Sequence, residues 1–180
     1  MDSFNVVVTA VPVPGDERRL LRALRRLGHF QRSAFRDVLL GQVADIGAFL
    51  EEVHRASEAG ESWTNAMGRA IPVEHVFRFQ IGTLVDQARP LLAGMLERMP
   101  GGTFHVRCER RGHADEIGSH DVECTLADHL LALAKQGNKA PQVSFDDPDY
   151  IICIETVGDQ CGVGLLGRDV RQRHKLVHVK

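Results

Sequence analysis

The sequence predicts an α+β protein of two domains, at residues 1–80 and 81–180. Two observations support this prediction. Short runs rich in β-branched residues alternate with segments in which apolar residues recur every three or four positions, a pattern that is typical of strands mixed with amphipathic helices. A long helical segment at residues 81–99, closed by Pro100-Gly101-Gly102, then separates two sets of such elements.

The first domain contains six predicted elements and a loop at residues 59–68. They are strand, helix, strand, strand, helix and strand, at residues 4–11, 16–27, 30–35, 37–43, 45–56 and 72–79. The first helix follows the Pro12–Gly15 break, takes Asp16 as its N-cap and ends before Gly28. The order β-α-β-β-α-β is the ferredoxin-like arrangement.

The second domain begins with the long helix and continues as an α/β unit. A strand is predicted at 103–109, a polar loop at 110–118 and a helix from Ser119 to about residue 133. A short strand at 142–145 leads through an acidic turn at 146–149 to an apolar strand at 150–157. The Gly158-Asp159 turn then returns the chain as a partner strand at 161–166, before a basic tail.

The net charge, the apolar runs and the cysteines of the sequence bear on what the protein can bind and where it can reside. The net charge of −2 counts against binding nucleic acid through the bulk charge of the protein, although a local basic patch can still do so. We expect a cytoplasmic protein, because the sequence shows no signal peptide and no run of the roughly 18 apolar residues that a membrane span needs. The four cysteines form no CxxC pair, which argues against zinc and favours free thiols.

No motif indicates chemistry by the chain itself. Gly162, Gly164 and Gly167 match a dinucleotide-binding pattern, but too few residues follow for the helix, strand and acidic residue that such a site needs. Asp146, Asp147 and Asp149 flank Pro148 and are better explained as turn residues. The sequence therefore predicts no catalytic residue, no metal ion and no cofactor.

The most specific pattern runs from Phe104 to the tail. Its segments are FHVRCERRGH, SHDVECTLADHLL, VSFDDPDYIICIE and CGVGLLGRD, in that order. This succession resembles the THUMP domain, an RNA-binding module of tRNA-modifying proteins. The tail, from Cys161-Gly162-Val163 through Gly167-Arg168-Asp169 to Arg173-His174-Lys175-Leu176, is similar to the end of stand-alone THUMP adaptors of tRNA cytidine acetylation.

The resemblance implies recognition of the acceptor end of tRNA. THUMP proteins usually also carry a catalytic domain, and both predicted domains of this chain are already assigned. We therefore expect that the chain is not an enzyme but an adaptor that presents tRNA to a separate tRNA-modifying enzyme, such as an acetyltransferase. The alternative is a ferredoxin-like module for protein interaction or small-ligand sensing that does not bind RNA, which the near-neutral charge favours.

The resemblance also implies that cationic side chains hold the RNA phosphates, a contact for which arginine and lysine are suited. The candidates in the second half are Arg107, Arg110, Arg111, Lys139, Arg168, Arg171, Arg173 and Lys175. We most expect RNA contacts from the arginines in the segments that carry the resemblance, which are Arg107, Arg110, Arg111 and Arg168. Any single one of these candidates can equally be explained as an ordinary solvated surface residue.

A second basic feature lies on the first predicted helix. Arg18, Arg22 and Arg25 recur at the spacing of one helix face. That face is either a solubilising surface or a second contact for tRNA, because arginine side chains suit both roles.

Overall fold

The computed structural model describes residues 3–137 and 141–179. The chain forms two compact units. The first unit is Met1–Val73 together with Asp169–Lys180, and the second is Glu74–Arg168. The expected division at residue 80 therefore differs from the observed one in two places: the second unit begins earlier, and the tail belongs to the first unit.

The first unit contains a four-stranded antiparallel sheet. Its elements are β1 (Val6–Ala10), α1 (Asp16–Leu24), β2 (His29–Arg32), β3 (Val38–Gln42), α2 (Ile46–Glu58) and β4 (Met67–Pro72). The strand order is β2-β3-β1-β4, so β1 lies between β3 and β4. Strand β1 is central because its valines, Val6, Val7 and Val8, are β-branched and almost completely buried.

The last strand predicted for this unit exists in part, but it belongs to the other sheet. Residues 72–79 were expected to form one strand, but β4 ends at Pro72 and β5 (His75–Arg78) belongs to the other sheet. The amide of Val73 donates to the carbonyl of Asn5 at 3.0 Å, whereas the amide of Glu74 donates to the carbonyl of Val163 at 2.8 Å. Pro72 contributes no amide donor to a sheet, which suits the end of a strand.

The second unit contains a mixed five-stranded sheet. Its further elements are α3 (Leu84–Glu97), β6 (Thr103–Glu109), α4 (Ser119–Gln136), β7 (Gln142–Val143), β8 (Tyr150–Val157) and β9 (Gln160–Gly167). The strand order is β5-β9-β8-β6-β7, with β6 parallel to both of its neighbours and β9 antiparallel to both of its own. Helix α5 (Arg168–Arg173) follows β9.

The alternation along β6 explains how the core of the second unit is built. Phe104, Val106 and Cys108 are buried and belong to one hydrophobic cluster with residues of α3 and α4. The residues between them, His105 and Arg107, are only half-buried. Because side chains alternate along a strand, these two lie on the opposite face of the sheet.

The four cysteines, Cys108, Cys124, Cys153 and Cys161, are free thiols. Burial raises the pKa of the Cys108 thiol to about 12, so this thiol stays protonated at neutral pH. No helix in the described part of the chain has both the length and the apolar character to cross a membrane.

Candidate nucleic-acid interface

Helix α1 carries arginines along one exposed face. Its buried side consists of Leu20, Leu21 and Leu24. Its exposed side carries Arg18 and Arg22, and the exposed Arg25 follows directly after the helix, still in right-handed helical conformation. With a rise of about 1.5 Å per residue, these three guanidinium groups are distributed over roughly 10 Å of the helix. The acidic residues of the helix lie in its first turn, where the helix dipole favours them.

An open cleft borders this face. It is lined by Leu21 and by four arginines: Arg18, Arg22, Arg25 and Arg32. These four arginines are called the α1 arginine face below, although Arg32 lies at the end of β2. Arg32 forms an ion pair with Glu17. Within residues 3–137 and 141–179, no carboxylate pairs with the other three arginines. Their charges are therefore available to an external anion such as a phosphate.

The tail arginines are engaged within the first unit. Arg173 is 59 % exposed and forms two hydrogen bonds to the carboxylate of Glu51, one of them 2.6 Å long. The hydrogen bond from Arg173 lowers the pKa of Glu51. Lys175 is strongly exposed and lies 4.0 Å from Glu58, and Arg171 is half-buried. Arg173 therefore attaches the tail to α2, whereas Lys175 projects into solvent.

Beside this ion pair lies a buried histidine that the sequence did not single out. His174 is 8 % exposed; its Nε2 lies 3.6 Å from Glu51, and its ring meets that of His54 edge-on at 5.8 Å. Burial lowers the pKa of His174 below its ordinary value. The chain then continues to Leu176, whose carbonyl accepts the amide of Ala70 at 2.8 Å.

In the second unit, most of the predicted arginines are held by carboxylates. Arg107 is 35 % exposed, and its Nη1 lies 3.1 Å from Glu123. The same Glu123 oxygen accepts the amide of Cys108 at 2.8 Å. Arg107 thus joins β6 to α4, and only part of its guanidinium faces solvent.

Arg111 differs from the expectation that it lies on the surface. Its side chain is 9 % exposed and forms a 2.6 Å ion pair with Glu155, which is 2 % exposed. Its amide donates to the hydroxyl of Thr156 at 3.0 Å, and its carbonyl accepts the amide of Gly158 at 2.9 Å. The two charges compensate each other inside the unit, so Arg111 does not offer its guanidinium to a phosphate.

Arg168 holds the acidic turn that follows β7. It lies 2.6 Å from Asp149 and 3.1 Å from Asp147, and it also donates to the carbonyl of Asp147. Asp149 in turn accepts the amide and the hydroxyl of Thr103 at 2.7 and 2.9 Å. Arg168 is thus part of a structural link between the turn and β9, with 37 % of its side chain exposed.

Two further candidates complete the set. Arg110 is half-buried, and no carboxylate in the described ranges pairs with it. Lys139 lies outside the described residues. The structure therefore brings Arg18, Arg22, Arg25 and Arg32 together on one surface, whereas Arg107, Arg111 and Arg168 each have a separate partner.

One histidine, His113, connects the loop after β6 to neighbouring acidic residues. His113 lies 2.8 Å from Asp159 and 3.1 Å from Glu116, and its ring meets that of Phe79 at 5.9 Å. The hydrogen bond to Asp159, followed by that to Glu116, raises the pKa of His113. In the part of the chain that the structure describes, no group of three or more His, Cys, Asp or Glu side chains is arranged to hold a metal ion.

Comparison with solved structures shows a shared fold. PH1313 from Pyrococcus horikoshii Ot3 is 12 % identical, with a TM-score of 0.62 over 91 % of this chain and 55 % of that chain. A 4-thiouridine synthetase, in complex with RNA and bound ATP, is 14 % identical, with a TM-score of 0.57 over 92 % and 42 %. TrmN from Thermus thermophilus is 16 % identical, with a TM-score of 0.58 over 89 % and 45 %.

The chain thus spans about half the length of these solved structures. No curated protein sequence matches it. The family model of the THUMP domain matches residues 81–166, which include α3 and the strands from β6 to nearly the end of β9. This match agrees with the segments on which the sequence resemblance rests. Residues 81–166 of the chain are therefore a THUMP domain.

Proposed function

We propose that the chain binds tRNA at its acceptor end, and that both the THUMP domain and the α1 arginine face contribute to binding. The observation that carries the proposal is the THUMP match at residues 81–166, because THUMP is an RNA-binding module. The similar fold of a 4-thiouridine synthetase in complex with RNA supports it.

The α1 arginine face supplies the electrostatic part of the proposed contact. Double-helical RNA hides its base edges in a deep, narrow groove, so proteins hold it mainly through phosphates and 2′-hydroxyls. Guanidinium groups bind phosphate oxygens with two parallel hydrogen bonds. Arg18, Arg22 and Arg25 meet this need, since they share one face and have no carboxylate partner among the described residues.

The first unit is, in this proposal, a ferredoxin-like domain. Its β-α-β-β-α-β order and its central β1 strand support that assignment. The proposed role of the whole chain is that of an adaptor without catalytic activity, which presents tRNA to a separate modifying enzyme such as an acetyltransferase. The support for this role is the similarity of the tail, from Cys161 to Leu176, to stand-alone THUMP adaptors.

Two measurements test the proposal. Titration of a tRNA with the purified protein at low salt should show binding that weakens as salt is added, because counterions are released on binding. Incubation of the protein with unmodified tRNA and group donors should leave the mass of the tRNA unchanged. Absence of tRNA binding at low salt would contradict the RNA-binding role, and a modified nucleoside formed by this protein alone would contradict the adaptor role.

A further inference from the structure

An aromatic ring stands exposed at the edge of the second sheet. Phe145 is 81 % exposed, more than the other large hydrophobic residues of the described ranges that reach the surface, Val13, Ile81 and Val143. It follows β7, the edge strand beside β6. A phenylalanine in this position leaves a large apolar surface in water, which makes it a candidate for a binding contact.

The structure holds this ring in a defined place. Strand β7 pairs with β6, where Val143 lies opposite Phe104. The amide of Ser144 then donates to the carbonyl of Phe104 at 2.9 Å, which extends the pairing to the residue before Phe145. The ring of Phe145 lies 5.7 Å from that of His105, centre to centre, at an angle of 43°.

The charges around Phe145 indicate which part of a ligand it contacts. Asp146 and Asp147 follow directly and are exposed. Arg168 compensates part of this charge through its ion pair with Asp147 at 3.1 Å. An acidic turn repels phosphate, so a nucleic acid would meet this site through a base and not through its backbone.

We propose that Phe145, backed by the ring of His105, stacks against an unpaired base of the bound RNA. The inference rests on the proposed function and adds to it a contact that the α1 arginine face does not supply. Bases within a helix are stacked on each other, whereas unpaired bases are free to stack on aromatic side chains. Phenylalanine and histidine both provide such a surface.

The test compares three variants on two RNAs. The variants are Phe145→Ala, Phe145→Leu and Phe145→Trp; the RNAs are a full tRNA and a blunt RNA duplex of acceptor-stem length with no unpaired base. Stacking on one base contributes about 1–3 kcal/mol, so Phe145→Ala should weaken tRNA binding by about 5-fold to 150-fold. Binding to the blunt duplex should not change.

The substituted side chains distinguish stacking from general apolar contact. Phe145→Trp should keep the affinity for tRNA, whereas Phe145→Leu should behave like Phe145→Ala, because leucine is apolar but has no aromatic face. The affinities of wild type and Phe145→Ala should fall in parallel as salt rises, because the lost contact involves no phosphate. Melting curves of all variants check that the fold is retained.

The outcomes separate this inference from the function on which it rests. If wild type binds neither RNA, the proposed function fails, and the inference fails with it. If wild type binds tRNA and Phe145→Ala binds equally well, only the stacking contact is wrong, and the ring is then left to another ligand, such as a protein. The stacking inference would also be overturned if Phe145→Ala lost equal affinity for both RNAs, or if Phe145→Leu bound tRNA as tightly as wild type.

Discussion

The guanidinium of Arg111 and the carboxylate of Glu155 form a 2.6 Å ion pair that is almost completely shielded from water. The pair joins the loop after β6 to the interior of β8, which are 44 residues apart in the chain. Each buried charge is neutralised by the other, so the loss of either residue would leave the remaining charge without a counter-ion. This arrangement makes Arg111 a structural residue of the THUMP domain.

We predict that Arg111→Met destabilises the protein, because it leaves the Glu155 carboxylate buried without its cation. Removal of one partner from a buried pair costs about 3–5 kcal/mol. The double variant Arg111→Met/Glu155→Leu should recover much of that loss, since no buried charge remains. Urea unfolding of the three proteins measures this; a single variant as stable as wild type would contradict the buried-pair interpretation.

The second prediction concerns the α1 arginine face. The triple variant Arg18→Ala/Arg22→Ala/Arg25→Ala should lose tRNA affinity and show a shallower salt dependence. Each phosphate contact contributes about 0.7–0.9 to the slope of log affinity against log salt, so three contacts lower the slope by about 2–3. Titration of tRNA at several salt concentrations gives both quantities.

The matched control removes the same amount of charge from arginines that have carboxylate partners. Arg19, Arg55 and Arg89 are also exposed helix residues, but each forms an ion pair with an acidic residue three positions away. Their replacement by alanine should change the salt slope much less. If the control variant loses as much affinity as the α1 variant, net charge and not the α1 face governs binding.

The third prediction is a loss of stability at acidic pH that His174 causes. Burial lowers the pKa of His174 in the folded protein, whereas in the unfolded chain it is about 6.5. As pH falls below about 6.5, the unfolded state therefore takes up the proton first, and the free energy of unfolding decreases. His174→Leu should remove this contribution, which unfolding measurements between pH 8 and pH 5 would show as a flatter profile.

The fourth prediction concerns His113, whose effect on stability has the opposite dependence on pH. Hydrogen bonds to Asp159 and Glu116 raise the pKa of His113 in the folded protein. Its contribution to stability is therefore fully present below the unfolded pKa and is lost as pH rises through the folded pKa. Asparagine is the chosen replacement, because it tolerates the positive φ of 53° that the backbone adopts at His113. The variant should be less stable than wild type at acidic pH, and the difference should shrink as pH rises.

Elements set by local patterns were predictable from the sequence. The hairpin of β8 and β9 is confirmed: Val157 lies opposite Gln160, which leaves Gly158-Asp159 as the turn, and Gly158 adopts a φ of 61°. A two-residue turn of this composition between apolar runs is a strong signal that depends on neighbouring residues alone. The THUMP segments were likewise recognisable because their order and turn residues are local features.

Strand β4 was missed because its own residues carry little strand signal. Its sequence, MGRAIP, contains Gly68 near a shift in register between β1 and β4, and a buried Arg69. The apolar run after Pro72 is a stronger strand pattern, but part of it pairs in the second sheet. The sheet to which these residues belong is set by pairing with strands that are distant in sequence, and local periodicity does not reveal such pairing.

The candidate site was predictable only in part, for the same reason. The spacing of Arg18, Arg22 and Arg25 shows that they share a helix face, since that follows from helix geometry alone. Whether an arginine has a carboxylate partner depends on residues that are distant in sequence, as with Arg111 and Glu155. The exposure of Phe145 also runs against the usual burial of phenylalanine, so composition did not point to it.

The division of the chain has a consequence for its synthesis on the ribosome. The first unit includes residues of the tail, where the carbonyl of Leu176 accepts the amide of Ala70. The intervening Glu74–Arg168 segment is about a hundred residues long and, at roughly 5–20 residues per second, takes about 5–20 s to translate. During this interval β4 has emerged without its tail partner, so the amino-terminal unit is completed last, after the THUMP domain that interrupts it.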